Sequence, residues 1–213
     1  MSSTSRPTNV VPRLYPILVP SRIGSGTLRE ICDFAREVIA GGATLLQIRE
    51  KHASAKEIVR LARELRRILP SEATLIVNDR ADLTLAAQAD GVHIGQDDIP
   101  PEAARQIIGP RRMLGMSTHN SEQVDASART SANYIAIGPI FATLSKQNPD
   151  PAVGVAGVRE ARTHTSKPLV AIGGITVQNC QSIIEAGADS VAVITELLQE
   201  PRKITAQFLL HMA

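Results

Sequence analysis

The chain has 213 residues, above the usual single-domain size yet compatible with one large domain. Hydrophobic residues make up 43% and charged residues 21%, which excludes a disordered or collagen-like chain. With 23 basic and 21 acidic side chains the formal charge is +2, too little to advertise a polyanionic partner, and two Tyr, three Phe and no Trp cannot tile a stacking platform for single-stranded nucleic acid.

Met1–Arg13 is polar and lacks the apolar segment of a secretory signal, so a flexible N-terminal tail is expected ahead of one domain over 14–213. Leu14–Val19 is a short apolar run of strand type, followed by a helix over Leu28–Ala40 with Ile31, Phe34, Ala35, Val38 and Ile39 on one face. A second strand is expected at Leu45–Arg49. The helix over Ser54–Leu69 then puts Ile58, Leu61, Leu65 and Ile68 on one side and Lys56, Arg60, Arg63, Glu64, Arg66 and Arg67 on the other. That basic stripe reads as a solvated helix face, not a nucleic-acid site. The alternation continues with strand Thr74–Asn78 and helix Ala81–Gln88, then strand Gly91–Gly95 and helix Glu102–Ile108. Strands at Met113–Ser117, Tyr134–Ile140, Leu169–Gly173 and Ser190–Thr195 follow, with helices at Ser121–Arg129, Val155–Arg162, Gln178–Ala186 and Glu196–Leu210. No stretch approaches the roughly 18 apolar residues of a membrane span. Cys32 and Cys180 fall in helix-like segments without CxxC spacing, so buried structural thiols in a soluble, cytoplasmic protein are expected.

Eight strand-like runs alternating with eight helix-like runs, with no linker composition between them, predict an α/β protein made of a single (β/α)8 TIM barrel. Runs such as Ala43–Ile48 and Ser190–Ile194 are apolar nearly throughout, as buried parallel strands should be. A faint repeat of small or Asx residues marks the helix-to-strand joints at Ala40–Ala43, Ala89–Gly91, Ala132–Asn133 and Ala186–Asp189.

In such a barrel the site forms at the C-terminal ends of the strands. The candidates there are Gln47, Arg49 and Lys51, whose alternation aims all three to one side; then Asn78 and Asp79, Gln96 and Asp98, Ser117 and His119, the Thr143–Lys146 stretch, Gly173–Gly174, and Ile194–Thr195. Two carboxylates beside an Arg/Lys cluster, with no Cys or matching His pair, suit Mg2+ and a diphosphate. The alternatives are a salt bridge from the Arg/Lys group to Asp79, and Asp79 as N-cap of the Ala81 helix. Gly173–Gly174, and Ile194–Thr195 ahead of the last helix, suggest a second anion site or plain turns. The polar loop over 142–154 reads as a lid. His119 fits a general acid/base or a polar residue opening a helix; His93 reads as a hydrogen-bonded core histidine.

Taken in order, Gln47-Ile48-Arg49-Glu50-Lys51, Val77-Asn78-Asp79-Arg80, Gly91 through Asp98, Gly138-Pro139-Ile140-Phe141, Ala171 through Ile175 and the Val191–Thr195 run resemble the thiamine phosphate synthase family over nearly the whole chain. The resemblance implies a barrel transferase of thiamine biosynthesis that joins hydroxymethylpyrimidine diphosphate to hydroxyethylthiazole phosphate, releasing pyrophosphate by a dissociative, Mg-assisted substitution. By the same resemblance Gln47, Ile48, Arg49, Glu50, Lys51, Asn78, Ser117 and Lys146 hold the pyrimidine diphosphate, with Arg49, Lys51, Ser117 and Lys146 catalytic. Asp79 and Asp98 ligate Mg2+, and Thr143, Leu144, Ser145, Gly174, Ile194 and Thr195 hold the thiazole phosphate. The family's Pro-Thr-x-Thr-Lys lid is here Ala142-Thr143-Leu144-Ser145-Lys146, and its strand-eight Ser is Thr195. Small-molecule substrates are the expected partners, with no nucleic acid or membrane, and a homo-oligomer is compatible with the sequence. Rival readings are a metal-free thiazole tautomerase using His119 and a non-catalytic phosphate sensor.

Overall fold

The computed structural model describes residues 11–142 and 151–213. Its strands are β1 (Leu14–Leu18), β2 (Leu45–Ile48), β3 (Thr74–Asn78), β4 (Gly91–Ile94), β5 (Met113–Thr118), β6 (Tyr134–Ile137), β7 (Leu169–Ile172) and β8 (Ser190–Val193). The helices that alternate with them are α1 (Leu28–Ala40), α2 (Ala55–Ile68), α3 (Ala81–Ala86), α4 (Pro101–Ile108), α5 (Ser121–Ala128), α6 (Gly154–Thr163), α7 (Cys180–Glu185) and α8 (Pro201–His211). The strands lie side by side in chain order, all parallel, and β8 closes onto β1 with Leu14 beside Val191. This is the single (β/α)8 barrel that the alternation predicts.

The strands read as apolar runs because both of their faces are buried. One face fills the barrel with Tyr15, Ile17, Leu45, Ile76, Met113, Tyr134, Val170 and Ala192. The other, including Leu14, Leu46, Leu75, Ile135, Leu169 and Val191, packs beneath the helices. Local signals set the first helix starts. The Thr27 and Ser54 hydroxyls accept from the Glu30 and Glu57 amides, and those glutamates reach back to the cap amides, a reciprocal cap at each helix. Cys32 and Cys180 are buried free thiols, as expected.

Several boundaries differ from the sequence expectation. The fourth helix begins at Pro101, whose missing N–H costs nothing in the first turn. The sixth strand stops at Ile137: the Gly138 amide still donates to Thr118 at 3.1 Å, but Pro139 has no N–H to carry the ladder further. The single C-terminal helix expected over Glu196–Leu210 is a 3-10 turn (Thr195–Leu198) followed by α8, since Pro201 bars helix at the residue before it. At the other end the chain meets the barrel before Leu14: Val11 is buried among the interior side chains, and the Arg13 carbonyl accepts from Val191.

The repeat at the helix-to-strand joints has a physical meaning. Asp90, Asn133 and Asp189 each stand just before a strand and accept, through a side-chain oxygen, the amide of Leu75, Leu114 or Leu169 on the preceding strand, at 2.8 Å in every case. The same three side chains receive an arginine from α2, α4 or α6: Arg66 at 3.0 Å, Arg105 at 2.6 Å and Arg162 at 2.9 Å. Each staple ties a helix across one unit to the next but one, on the barrel floor. Arg66 also donates to Ala73, and Arg63 to Ala86, so part of the basic face of α2 is engaged in holding the floor.

Arg105 is the most connected of these, donating also to the carbonyls of Gly109 at 2.8 Å, Arg112 at 2.7 Å and Ser131 at 3.1 Å. Arg105→Ala leaves several half-buried carbonyls without a donor and is expected to cost about 2–3 kcal/mol. A shifted urea midpoint with unchanged slope is the measurement. An unmoved midpoint would show that solvent replaces the guanidinium.

Candidate active site

Strand alternation carries the interior positions up to the C-terminal mouth. Leu45 lies inside the barrel, so Gln47 two residues on does too. It is 1% exposed, and its Nε2 has no hydrogen-bond partner among the described residues. A buried amide donor left open is costly unless something visits it. The pairing continues past β2, because the Arg49 amide donates to the Leu18 carbonyl at 2.9 Å. Arg49 therefore keeps its interior side, as the alternation of Gln47, Arg49 and Lys51 predicts. Ile48 points the other way, buried against the helical layer. Glu50 clips the loop together, accepting from the Ser21 amide at 3.0 Å and the His52 amide at 3.2 Å. Burial pushes its carboxyl up, but these hydrogen bonds prevail and hold it below the usual carboxylate range.

Asp79 is not the N-cap of α3. Arg80 takes that position without a side-chain cap bond, and the backbone passes through a left-handed conformation at Asp79, φ 65°. That conformation, which Asp tolerates better than most residues, frees the carboxylate from the helix. Asn78 Nδ2 donates to Asp79 Oδ1, and Lys51 Nζ stands 3.6 Å from its Oδ2, so the salt bridge weighed as an alternative is present. Lys51 is 53% exposed, and such a pair contributes little stability by itself. Burial, then the adjacent Asp98 carboxylate, raises the Asp79 carboxyl above its ordinary value, against the pull of Lys51 and Arg49. Asp98 is itself held by the Gly95 amide at 2.6 Å. Two carboxylates facing each other at a mouth lined by cations are oxygen donors that could hold a hard divalent ion.

Ser117 stands at the interior end of β5, with its Oγ 2.8 Å from His93 Nε2 and its carbonyl accepting from Gln96 at 2.5 Å. His93 is the hydrogen-bonded histidine expected, but it is joined to more than the strand. Its Nδ1 lies 3.0 Å from the Tyr134 hydroxyl, which lies 2.6 Å from that of Tyr15. The chain's two tyrosines were not among the sequence candidates; the available signal was that each sits inside a strand, two residues from another interior position. Burial lowers the His93 pKa to about 4. Ring 15N shifts are therefore expected to show a neutral imidazole still at pH 6, where a free one would be mostly protonated. A titration midpoint near 6.5 would contradict this.

His119 Nδ1 donates to the Gly138 carbonyl at 2.6 Å. Gly174, φ 63°, is required by crowding, since a Cβ there would lie 2.7 Å from Phe141 Cβ. Ile194 and Thr195 reach the mouth at the end of β8, but they open the 3-10 turn; they do not lead into the last helix, so an anion there would meet no α-helix N-terminus. Thr143, Leu144, Ser145 and Lys146, with most of the expected lid, lie outside the described residues. The far side of that loop returns to the sixth strand's exit, where the Val153 and Gly154 amides donate to Pro139 and Ile140. Among the described residues no three His, Cys, Asp or Glu form a metal cluster, and no helix is long and apolar enough to cross a membrane.

A closed (β/α)8 barrel that gathers cations, paired carboxylates, a buried amide and a hydroxyl at its C-terminal mouth is the frame of a barrel enzyme. A family model described as thiamine monophosphate synthase matches residues 14–197. The chain belongs to that family, whose members are transferases condensing a pyrimidine diphosphate with a thiazole phosphate. It is 56% identical over 200 residues to the thiamine-phosphate synthase of Koribacter versatilis, covering 93% of this chain and 95% of that one. To the thiamine-phosphate synthase of Moorella thermoacetica it is 40% identical, covering 85% and 86%. A solved thiamine phosphate pyrophosphorylase of Pyrococcus furiosus superposes with a TM-score of 0.82 at 31% identity, covering 94% of this chain and 95% of that one.

Proposed function

We propose that this chain condenses hydroxymethylpyrimidine diphosphate with hydroxyethylthiazole phosphate to thiamine phosphate and pyrophosphate, with Asp79 and Asp98 holding Mg2+. The observation that carries the reading is the Asp79–Asp98 pair set beside Lys51 and Arg49, under the open amide of Gln47. The donor set fits the ion: oxygen ligands only, few in number, leaving room for water and phosphate oxygens. Bound there, Mg2+ would neutralise charge on the departing pyrophosphate. Arg49 and Lys51 hold the diphosphate by charge, and Ser117 adds a hydrogen bond. Gln47 Nε2 and Asn78 meet the pyrimidine, and Lys146 joins the leaving-group contacts. The carbon–oxygen bond breaks with its electron pair leaving on pyrophosphate. The pyrimidine amino group feeds electrons to the methylene carbon, and the thiazole nitrogen lone pair closes the new carbon–nitrogen bond. No proton must be removed, in keeping with a mouth whose buried imidazole is engaged on both nitrogens. Thr143, Leu144, Ser145, Gly174, Ile194 and Thr195 hold the thiazole phosphate, and closure of the 142–154 loop excludes water from the cation. The setting is the cytoplasm, with small molecules as partners.

Pyrophosphate release measured with each substrate alone and with both, in Mg2+ and then in EDTA, tests this reading. Release that needs both substrates and the metal, with thiamine phosphate formed in step, is the expected result. Metal-independent isomerisation of a thiazole carboxylate phosphate without release would overturn it.

A further inference from the structure

Four side chains from four strands form one line of hydrogen bonds inside the barrel. Tyr15 Oη lies 2.6 Å from Tyr134 Oη, Tyr134 Oη 3.0 Å from His93 Nδ1, and His93 Nε2 2.8 Å from Ser117 Oγ at the mouth. Each link carries one proton, and a neutral imidazole has only one N–H, so the two links at His93 must run in one sense, and an Nδ1–H state leaves one tyrosine proton without an acceptor whichever way the tyrosine link runs. Run inward, Ser117 donates to Nε2, Nδ1–H donates to Tyr134, and Tyr134 donates to Tyr15. The Tyr15 proton is then left in the core. Tyr15 is 2% exposed, and among the described residues its hydroxyl meets Tyr134 alone. Run outward, Tyr15 donates to Tyr134, Tyr134 to Nδ1, and Nε2–H to Ser117. Every buried proton is then used, and the Ser117 proton faces the mouth. The blind end at Tyr15 favours the outward sense roughly tenfold or more, the scale of one buried donor left unmade.

We infer that the Tyr15–Tyr134–His93 line fixes Ser117 as a hydrogen-bond donor to an anionic oxygen of the ligand at the mouth, in place of the hydroxyl's freedom to accept. Tyr15, Tyr134 and His93 are positioning residues, and the anion is the diphosphate of the proposed substrate, so the inference deepens that reading. Space for the line is built in at Gly115, where a Cβ would stand 2.0 Å from Tyr134 Cζ.

Ring 15N NMR of His93 in the free protein, which needs no activity, reads the sense of the line directly. The expected result is the Nε2–H tautomer in the parent and in Tyr15→Phe, where Tyr134 becomes the new blind end. In Tyr134→Phe the Nδ1 loses its partner; an open imidazole lone pair, a far stronger acceptor than an open phenol oxygen, costs about as much as an open N–H, so a mixture of tautomers is expected. A parent that is mainly Nδ1–H overturns the inference, even if Tyr134→Phe does not fold. The kinetic arm asks whether the line acts through the hydroxyl: Tyr134→Phe is expected to lower kcat for pyrophosphate release about tenfold, and to lower it no further in a Ser117→Ala background. Equal losses in both backgrounds would overturn the route through Ser117. A parent with no pyrophosphate release defeats the proposed reaction while the tautomer result still stands.

Discussion

Asp79→Asn is expected to lower turnover at least about 100-fold, the scale of losing one charge-stabilising contact in a preorganised site. Asparagine is the right replacement. It adopts the left-handed backbone found at φ 65° as readily as aspartate, so the turn into α3 survives and only the charge is removed. Alanine would add strain to the chemical loss. What remains is a single carboxylate, Asp98, already committed by one oxygen to the Gly95 amide. A compensating demand for more Mg2+ should accompany the loss, because a ligand to the ion has gone. Lys51→Ala is expected to fall by a similar factor, through weaker hold on the diphosphate and with less dependence on Mg2+ concentration. Steady-state pyrophosphate release across a Mg2+ series separates the two. Parent-like rates in both variants would sink the assignment of the site.

Gly115→Ala is expected to destabilise the barrel strongly. Its Cβ would stand 2.0 Å from Tyr134 Cζ and 2.3 Å from the hydroxyl, and Tyr134 is fully buried with its ring stacked on His93 at a centroid distance of 5.5 Å. The tyrosine cannot swing away without breaking its bonds to Tyr15 and His93. The expected cost is about 3 kcal/mol, at the upper end for overpacking, which corresponds to a Tm roughly 10 °C lower for a chain of this size. Combining it with Tyr134→Val should cost less than the two changes summed, since the smaller side chain vacates the clash. A thermal scan of the four proteins checks this. Gly115→Ala with parent stability would mean that Tyr134 has room to retreat.

The barrel was legible because parallel strands buried on both faces leave uninterrupted apolar runs, and because Asx and small residues recur where helices turn into strands. The placement of Gln47 and Arg49 was legible from alternation, since the ladder to β1 persists through the Arg49 amide. Asp79 was ambiguous for a definite reason. An Asp two residues before a helix has the pattern of a cap, and nothing in the letters gives the sign of φ that turns its carboxylate toward Asp98. The C-terminal helix was overextended because its apolar spacing runs through Pro201, whose effect falls on the residue before it. The tyrosine line was not legible at all: Tyr15 and Tyr134 are 119 positions apart, and only closure of the barrel brings their hydroxyls together.

Closure has one more consequence, for how copies of this chain can meet. With β8 bonded to β1, the sheet presents no row of unpaired amides and carbonyls on which another chain could add a strand. Association by strand exchange, the commonest hazard of a β-rich protein, is closed to the folded molecule. Copies that assemble must do so through helix faces or loops, where, among the described residues, Leu85, Ile99, Ile107 and Leu210 are large apolar side chains left in water.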